Sequence, residues 1–295
     1  MDQLEQFKDL LSGPKQRIKL NDFVVDITKK LVSEVGEDKF PVQGPCDDTS
    51  FIKRLEKFEE IVRTVLPLQM LLGRWGLPDY AEIAALPMRR LAGAISPIGG
   101  NHYLIEARWY PVFLLLYASC IGAISGSNYQ VVPKLFHAAV PNGDGRRNHE
   151  ILLVSVFNAM SEIHDGFKLF PGLERKHTPR SEHLYALLEP YADSTLYLRT
   201  DYEEFFDGAE IMMAMEYIHI EHPEPVGQEE RLFGPIIGRF GWKRLSRNPL
   251  GRLISEASAA GESWEPARAG LFGGSSARFV ELAEGLSRML GQVAW

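Results

Sequence analysis

The sequence predicts a mainly α-helical fold, an irregular multi-helix bundle of roughly nine to twelve helices. Apolar residues recur at three- and four-residue spacing through almost every segment with a clear period, and alternating strand patterns are few. Capping residues and Gly or Pro stops bracket those segments. One stretch, Trp109 to Ile124 (W-Y-P-V-F-L-L-L-Y-A-S-C-I-G-A-I), is apolar on every face, as the central buried helix of such a bundle has to be.

In chain order, Asp2 to Leu11 puts Leu4, Phe7, Leu10 and Leu11 on one stripe. Ile18 to Val35 repeats the pattern with Leu20, Phe23, Val24, Ile27, Leu31 and Val35, and Gly36 is placed to cap its end. Gly36 to Asp48 is acidic, contains proline and reads as a surface loop. Ser50 is the expected N-cap of a long helix from Phe51 to Leu71, kinked at Pro67 and ended by Gly73 and Gly76. Ala81 to Ile95 is a helix disturbed in its middle by Pro87. Trp109 to Ile124 falls short of the roughly twenty residues that cross a bilayer, and Pro111 suits its first turn. Gly126-Ser127-Asn128 then turns the chain into Tyr129 to Ala139 as an αα-hairpin.

Pro141 to Asn148 (P-N-G-D-G-R-R-N) is the sharpest loop and the expected hinge. It divides the chain into a helical subdomain at 1–140 and an aromatic-rich helical subdomain at 149–295. Ile151 to Met160 suits a buried helix or a strand, and Thr195 to Leu198 a short strand. Thr178-Pro179 opens a helix over Ser181 to Leu188. Thr200 and Glu203 form a T-x-x-E capping box for a helix from Asp201 to Ile218. Asn248-Pro249 starts a helix that Gly261 stops after Ala260. Ser275 or Ser276 caps the last helix, whose apolar stripe is Phe279, Leu282, Ala283, Leu286, Met289 and Leu290.

A chain of 295 residues, 45% apolar and 24% charged, has the composition of an ordinary globular protein with one large or two ordinary domains. Its formal net charge of -7 argues against a general nucleic-acid binder, although Arg146-Arg147 and Arg239 to Arg247 are locally basic. Two cysteines, Cys46 and Cys120, exclude a disulfide framework and a cysteine-rich zinc site. The N-terminus, M-D-Q-L-E-Q-F-K-D-L-L, lacks the apolar core of a signal peptide, so the expected location is the cytoplasm.

Among residues that could carry chemistry, His164-Asp165 in E-I-H-D-G-F-K comes first. An adjacent His-Asp pair in a helical protein resembles the HD-type phosphohydrolases, whose further His and Asp complete a divalent-metal site that activates water against a phosphate ester. The available partners are His137 or His149 upstream and Asp193, Asp201 or Asp207 downstream. Gly166 and Pro171-Gly172 interrupt the helix such a site would stand on. His219 and His222 flank Glu221, but Pro223 and Pro225 end the helix there and the H-E-x-x-H spacing is absent. In L-F-G-G-S-S, Gly273 and Gly274 open onto a helix N-terminus, a place for an anion or simply a tight helix entry, and the Lys of a P-loop is missing. No G-x-S-x-G elbow is present, and no cofactor is expected. Aromatic residues crowd the C-terminal half, and Trp242, Arg239, Phe272, Gly273 and Gly274 are the expected partner-binding residues.

Five pieces spread over nearly the whole chain carry a family resemblance: I-K-L-N-D-F-V-V-D-I, W-Y-P-V-F-L-L-L-Y-A, Y-E-E-F-F-D-G-A-E, I-G-R-F-G-W-K and W-E-P-A-R-A-G-L-F-G-G-S. Their order resembles an uncharacterised helical region found C-terminal to sirtuin-like, TIR-like or Schlafen-type modules in prokaryotic proteins associated with phage defence. The resemblance implies a non-enzymatic module that senses, inhibits or oligomerises. Its effector would then be a separate polypeptide, or this chain a fragment of a longer one. Another protein is the expected partner, with self-association as a further possibility, and neither membrane nor nucleic acid is expected. The alternative function is the metal-dependent phosphohydrolase with His164, Asp165, His137 and Asp201 as ligands.

Overall fold

The computed structural model describes residues 3–13, 15–95, 99–142, 150–221 and 236–292. The helix with no polar face organises it. Tyr110–Ser125 (α7 in the numbering used below) is buried from Tyr110 through Ile124, so every side of it must meet another element. His102–Ser125 is long and apolar enough to cross a membrane, but its most apolar part is buried inside the protein.

The chain up to its end holds seven helices. They are α1 (Gln3–Ser12), α2 (Arg17–Glu34), α3 (Asp48–Val62), α4 (Leu66–Trp75), α5 (Ala81–Gly93), the short α6 (His102–Ala107) and α7 itself. The tightest neighbour of α7 is α4. Gly73 of α4 lies against the backbone of Ser119 and Ala123, and Gly122 of α7 against the backbone of Met70, so a Cβ at either glycine would meet main chain. A buried amide joins three helices in this layer. Ser119 Oγ donates to Gln69 Oε1 at 2.7 Å, and Gln69 Nε2 donates to the Ala84 carbonyl of α5 at 3.2 Å.

After α7 come α8 (Val132–Phe136) and an antiparallel pair, β1 (Ala139–Pro141) with β2 (Glu150–Leu152), in which Val140 faces Ile151. A 3-10 segment, Leu153–Met160, follows, then α9 (Pro179–Leu196), α10 (Tyr202–Glu221), α11 (Pro249–Ala260), α12 (Glu265–Arg268) and α13 (Ser276–Leu290). The mainly α prediction holds: thirteen α-helices and one two-stranded sheet form the described regular structure. The count exceeds the expected range because α6, α8 and α12 have only 6, 5 and 4 residues, too short to show a period in the sequence. One buried cluster runs from Phe7 to Leu290 and includes residues from both sides of 141–148; most of that expected hinge, 143–148, lies outside the described residues.

Several local expectations are corrected. The long helix from Phe51 to Leu71 is two helices, because Pro67 falls in the first turn of α4, where its missing N–H costs nothing. Asp47 caps α3 in place of Ser50, which is its reciprocal partner: Ser50 N donates to Asp47 Oδ1 at 2.8 Å and Asp47 N to Ser50 Oγ at 3.1 Å. Val35 caps α2, its N–H reaching the Leu31 carbonyl, and Gly36 is not left-handed. Thr195 to Leu198 ends α9 instead of forming a strand. Thr200 lies in a 3-10 turn ahead of α10, and Glu203 turns to basic side chains and not back to Thr200. Asn248 and Ser275 do cap α11 and α13, accepting from Gly251 N and Arg278 N.

Candidate functional site

The motif Y-E-E-F-F-D-G-A-E becomes the first half of α10, and I-G-R-F-G-W-K packs along it. Glu203, Asp207 and Glu210, at i, i+4 and i+7, share one helical face. Lys243 Nζ sits 2.6 Å from Asp207 Oδ2 and 2.5 Å from Glu203 Oε1. Arg239 Nη2 reaches Glu203 Oε1 at 3.2 Å, and its guanidinium lies 3.5 Å from the Tyr185 ring centroid. Glu210 accepts from Tyr117 Oη at 2.9 Å and from Arg239 N at 3.2 Å, tying α7, α10 and the 236–247 segment together. Gly238 is required there, since a Cβ would fall on the Glu210 carboxylate. Trp242 Nε1 donates to Glu182 Oε1 at 2.9 Å.

Burial pushes the Asp207 carboxyl up and the Lys243 ammonium down, while their direct contact pulls each back. Glu210 is pushed up to about 7, chiefly by burial, against the hydrogen bonds it accepts. Removing one member of such a ladder strands the others, at a cost of roughly 3–5 kcal/mol. Arg239 and Trp242 therefore clamp the 236–247 segment onto α9 and α10.

Farther along α10, the carboxylate of Glu216 is buried. It meets His137 Nε2 at 2.7 Å through one oxygen and accepts from Phe272 N at 2.7 Å through the other. Phe272 (φ 56) and Gly273 (φ 64) are left-handed, and the Phe272 ring stacks 5.9 Å from Trp264. The backbone N–H that this turn offers at Phe272 is thus taken by the protein's own Glu216 side chain.

The expected metal ligands do not come together. Asp165 pairs with Lys168 at 2.7 Å, His137 with Glu216, and Asp201 accepts from Thr200 Oγ1 at 3.4 Å. Asp193 accepts from Arg199 N at 2.8 Å, and Asp207 belongs to the ladder. His164 is pushed down to about 3 by burial and by the Arg180 guanidinium, and its Nδ1 is buried without a hydrogen bond. Among the described residues no three His, Cys, Asp or Glu are placed to hold a metal ion. His149 and His222 lie outside the described residues.

A site that sequence reasoning missed lies where α1, the end of α4 and the end of α9 meet. Lys8, Leu11 and Ser12, at i, i+3 and i+4 of α1, face Leu71 and Trp75 of α4, with Leu77, Tyr80, Thr195 and Tyr197 completing a groove of about 540 Å³. Three of its large side chains are open to solvent, Trp75 at 53%, Leu77 at 50% and Tyr197 at 73%, whereas Leu71 and Tyr80 are buried. Trp75 is the last residue of its helix, and Gly76 leaves it in an extended conformation that carries Leu77 outward. Tyr197 caps α9 in the left-handed conformation, with φ 58. An aromatic residue just past a helix end was the available signal, but its meaning depends on segments far apart in the chain. No protein-family model, no curated protein and no solved structure matches this chain.

Proposed function

We propose that the chain is a helical protein-binding module and that the Trp75–Leu77–Tyr197 groove is its docking site. Tyr197 carries that reading. A non-glycine residue in the left-handed region costs about 1–2 kcal/mol, and a helix ending there ordinarily uses Gly or Asn. A ring that is 73% exposed recovers little of that cost by burial. Strain without a folding return, beside an exposed Trp and Leu, fits a residue kept for a partner, because Trp and Tyr dominate binding hot spots. The module acts in the cytoplasm beside a separate effector, as the resemblance to phage-defence regions implies, and serves as its sensor or regulatory subunit.

Co-purification from the native host, run in parallel for wild type, Trp75→Ala and Tyr197→Gly, tests this. One partner, identified and then reconstituted from purified components, is expected to bind wild type and to be lost from both variants. The Tyr197→Gly protein is expected to be as stable as wild type or up to about 1 kcal/mol more stable in urea. Equal recovery of every partner by the variants would remove the groove from the function. Loss of more than about 1 kcal/mol in Tyr197→Gly would show that the ring serves the fold.

A further inference from the structure

We infer that the floor of the groove binds a small uncharged molecule, an aromatic body carrying one neutral hydrogen-bonding group such as an amide. This goes beyond the docking reading, which rests on the exposed rim of Trp75, Leu77 and Tyr197. Two hydroxyls on the floor carry the inference. Tyr80 is 3% exposed and Thr195 4%, and both line the groove. Among the described residues neither hydroxyl has a hydrogen-bond partner.

Elsewhere in the fold such hydroxyls are bonded. The similarly buried Tyr110, Tyr117 and Tyr202 donate to Glu59, Glu210 and the Tyr185 carbonyl. Ser194, beside Thr195 in α9, donates to the Pro190 carbonyl one turn back at 2.8 Å, and Thr28 of α2 to the Val24 carbonyl at 2.6 Å. Thr178 Oγ1 is unpartnered as well, but it is sealed inside the protein. The Tyr80 and Thr195 oxygens are not sealed, and the little surface that these side chains keep opens into the groove they line. A nearly buried hydroxyl is costly to leave unbonded, so a floor that offers two suits a ligand group that bonds them.

The rest of the lining describes the ligand's body. A groove of about 540 Å³ lies within the roughly 300–1,000 Å³ of small-molecule sites, which pair apolar walls with a few placed polar groups. Leu11 and Leu71 give apolar contact, and Trp75 and Tyr197 give rings to stack on. Charge makes the ligand neutral. Lys8 is the charged residue of the lining, and Glu5 already pairs with it at 2.8 Å. An ionised ligand would give up its hydration against apolar walls for a cation that is already answered. An amide loses less on leaving water, and it can both donate to and accept from hydroxyls.

Saturation-transfer NMR on the full chain tests this with four naphthalene probes that differ in one substituent: carboxamide, methyl, carboxylate and aminomethyl. Wild type is compared with Tyr80→Phe, Thr195→Val and the double variant, which remove hydroxyls and keep size. Circular dichroism checks that each is folded, and the single variants carry the test if the double one is not. The carboxamide is expected to bind wild type at least about fivefold more tightly than the other three probes. The double variant is expected to lose that margin while the methyl probe binds as before. Thermal midpoints of the variants are expected to equal or exceed that of wild type, since the lost hydroxyls bond nothing in the fold. Equal affinity for carboxamide and methyl probes, or a margin that survives in the variants, would mean that the hydroxyls serve only water and overturns the inference. A preference for the carboxylate or the amine overturns the neutral class, and failure of all four probes to bind overturns the site. These variants leave the rim in place, so recovery of a protein partner is expected to be unchanged. The docking reading can therefore fail in its own experiment while this one stands, and the reverse.

Discussion

Glu210 shows what a single side chain in this core does to the energetics. Its carboxyl titrates near 7, against 4.5 for an unperturbed glutamate, because burial outweighs the hydrogen bonds that it accepts. The folded state therefore holds this proton more tightly than the unfolded chain does. The associated stability is fully present below about 4.5 and is lost as pH rises through about 7. His164 acts in the opposite sense: pushed down to about 3, it removes stability as pH falls below 6.5. Comparison with a Glu210→Gln variant isolates the first effect. Urea unfolding at pH 5 and pH 8 is expected to give wild type an additional loss of up to about 3 kcal/mol at the higher pH, and the variant a visibly flatter profile. Parallel profiles would mean that Glu210 is already ionised at pH 5 in the fold.

At the scale of elements, the α4–α7 contact sets helix propensity against packing. Alanine is better than glycine in a helix interior by about 1 kcal/mol, so propensity alone makes Gly122→Ala stabilising. The added Cβ would meet the Met70 backbone, which cannot swing aside as a flexible side chain does. Overpacking of that kind costs roughly 1–3 kcal/mol or more, and it acts on the helix pair at the centre of the molecule. Thermal unfolding of Gly122→Ala is therefore expected to show a lower midpoint, and a raised midpoint would mean that the two helices separate at little cost. Elsewhere the elements read well from sequence. Caps at Asn248 and Ser275 and the stripe of α13 stand where local chemistry puts them. Ser50 and Thr200 went wrong for another reason: each has a competitor for the same role, Asp47 in one case and the pairing of Glu203 with Lys243 in the other.

Across the whole molecule, α4 and α7 from before residues 141–148 and α9 and α10 from after them contribute to one buried cluster. Polar contacts cross the same line, among them His183 Nε2 against Glu59 Oε1 at 2.7 Å and Tyr117 Oη donating to Glu210 Oε1 at 2.9 Å. Such a core is expected to melt in one transition, with tryptophan fluorescence and far-UV circular dichroism giving coincident curves; two resolved transitions would mean that the halves unfold separately. By itself the sequence determined the fold class, the burial of the Trp109 to Ile124 segment and most helix boundaries, because these follow from periodicity and capping within a few turns of chain. It also made Arg239 and Trp242 conspicuous without saying that they face inward. Only the tertiary structure decided that their charge and polar N–H are spent on Glu203 and Glu182, and that Glu216 accepts from Phe272 N. It likewise decided that Leu11, Trp75 and Tyr197 share one groove. The reason is physical: a buried ion pair or a groove depends on which distant segments are brought together, and that is set by the packing of whole helices.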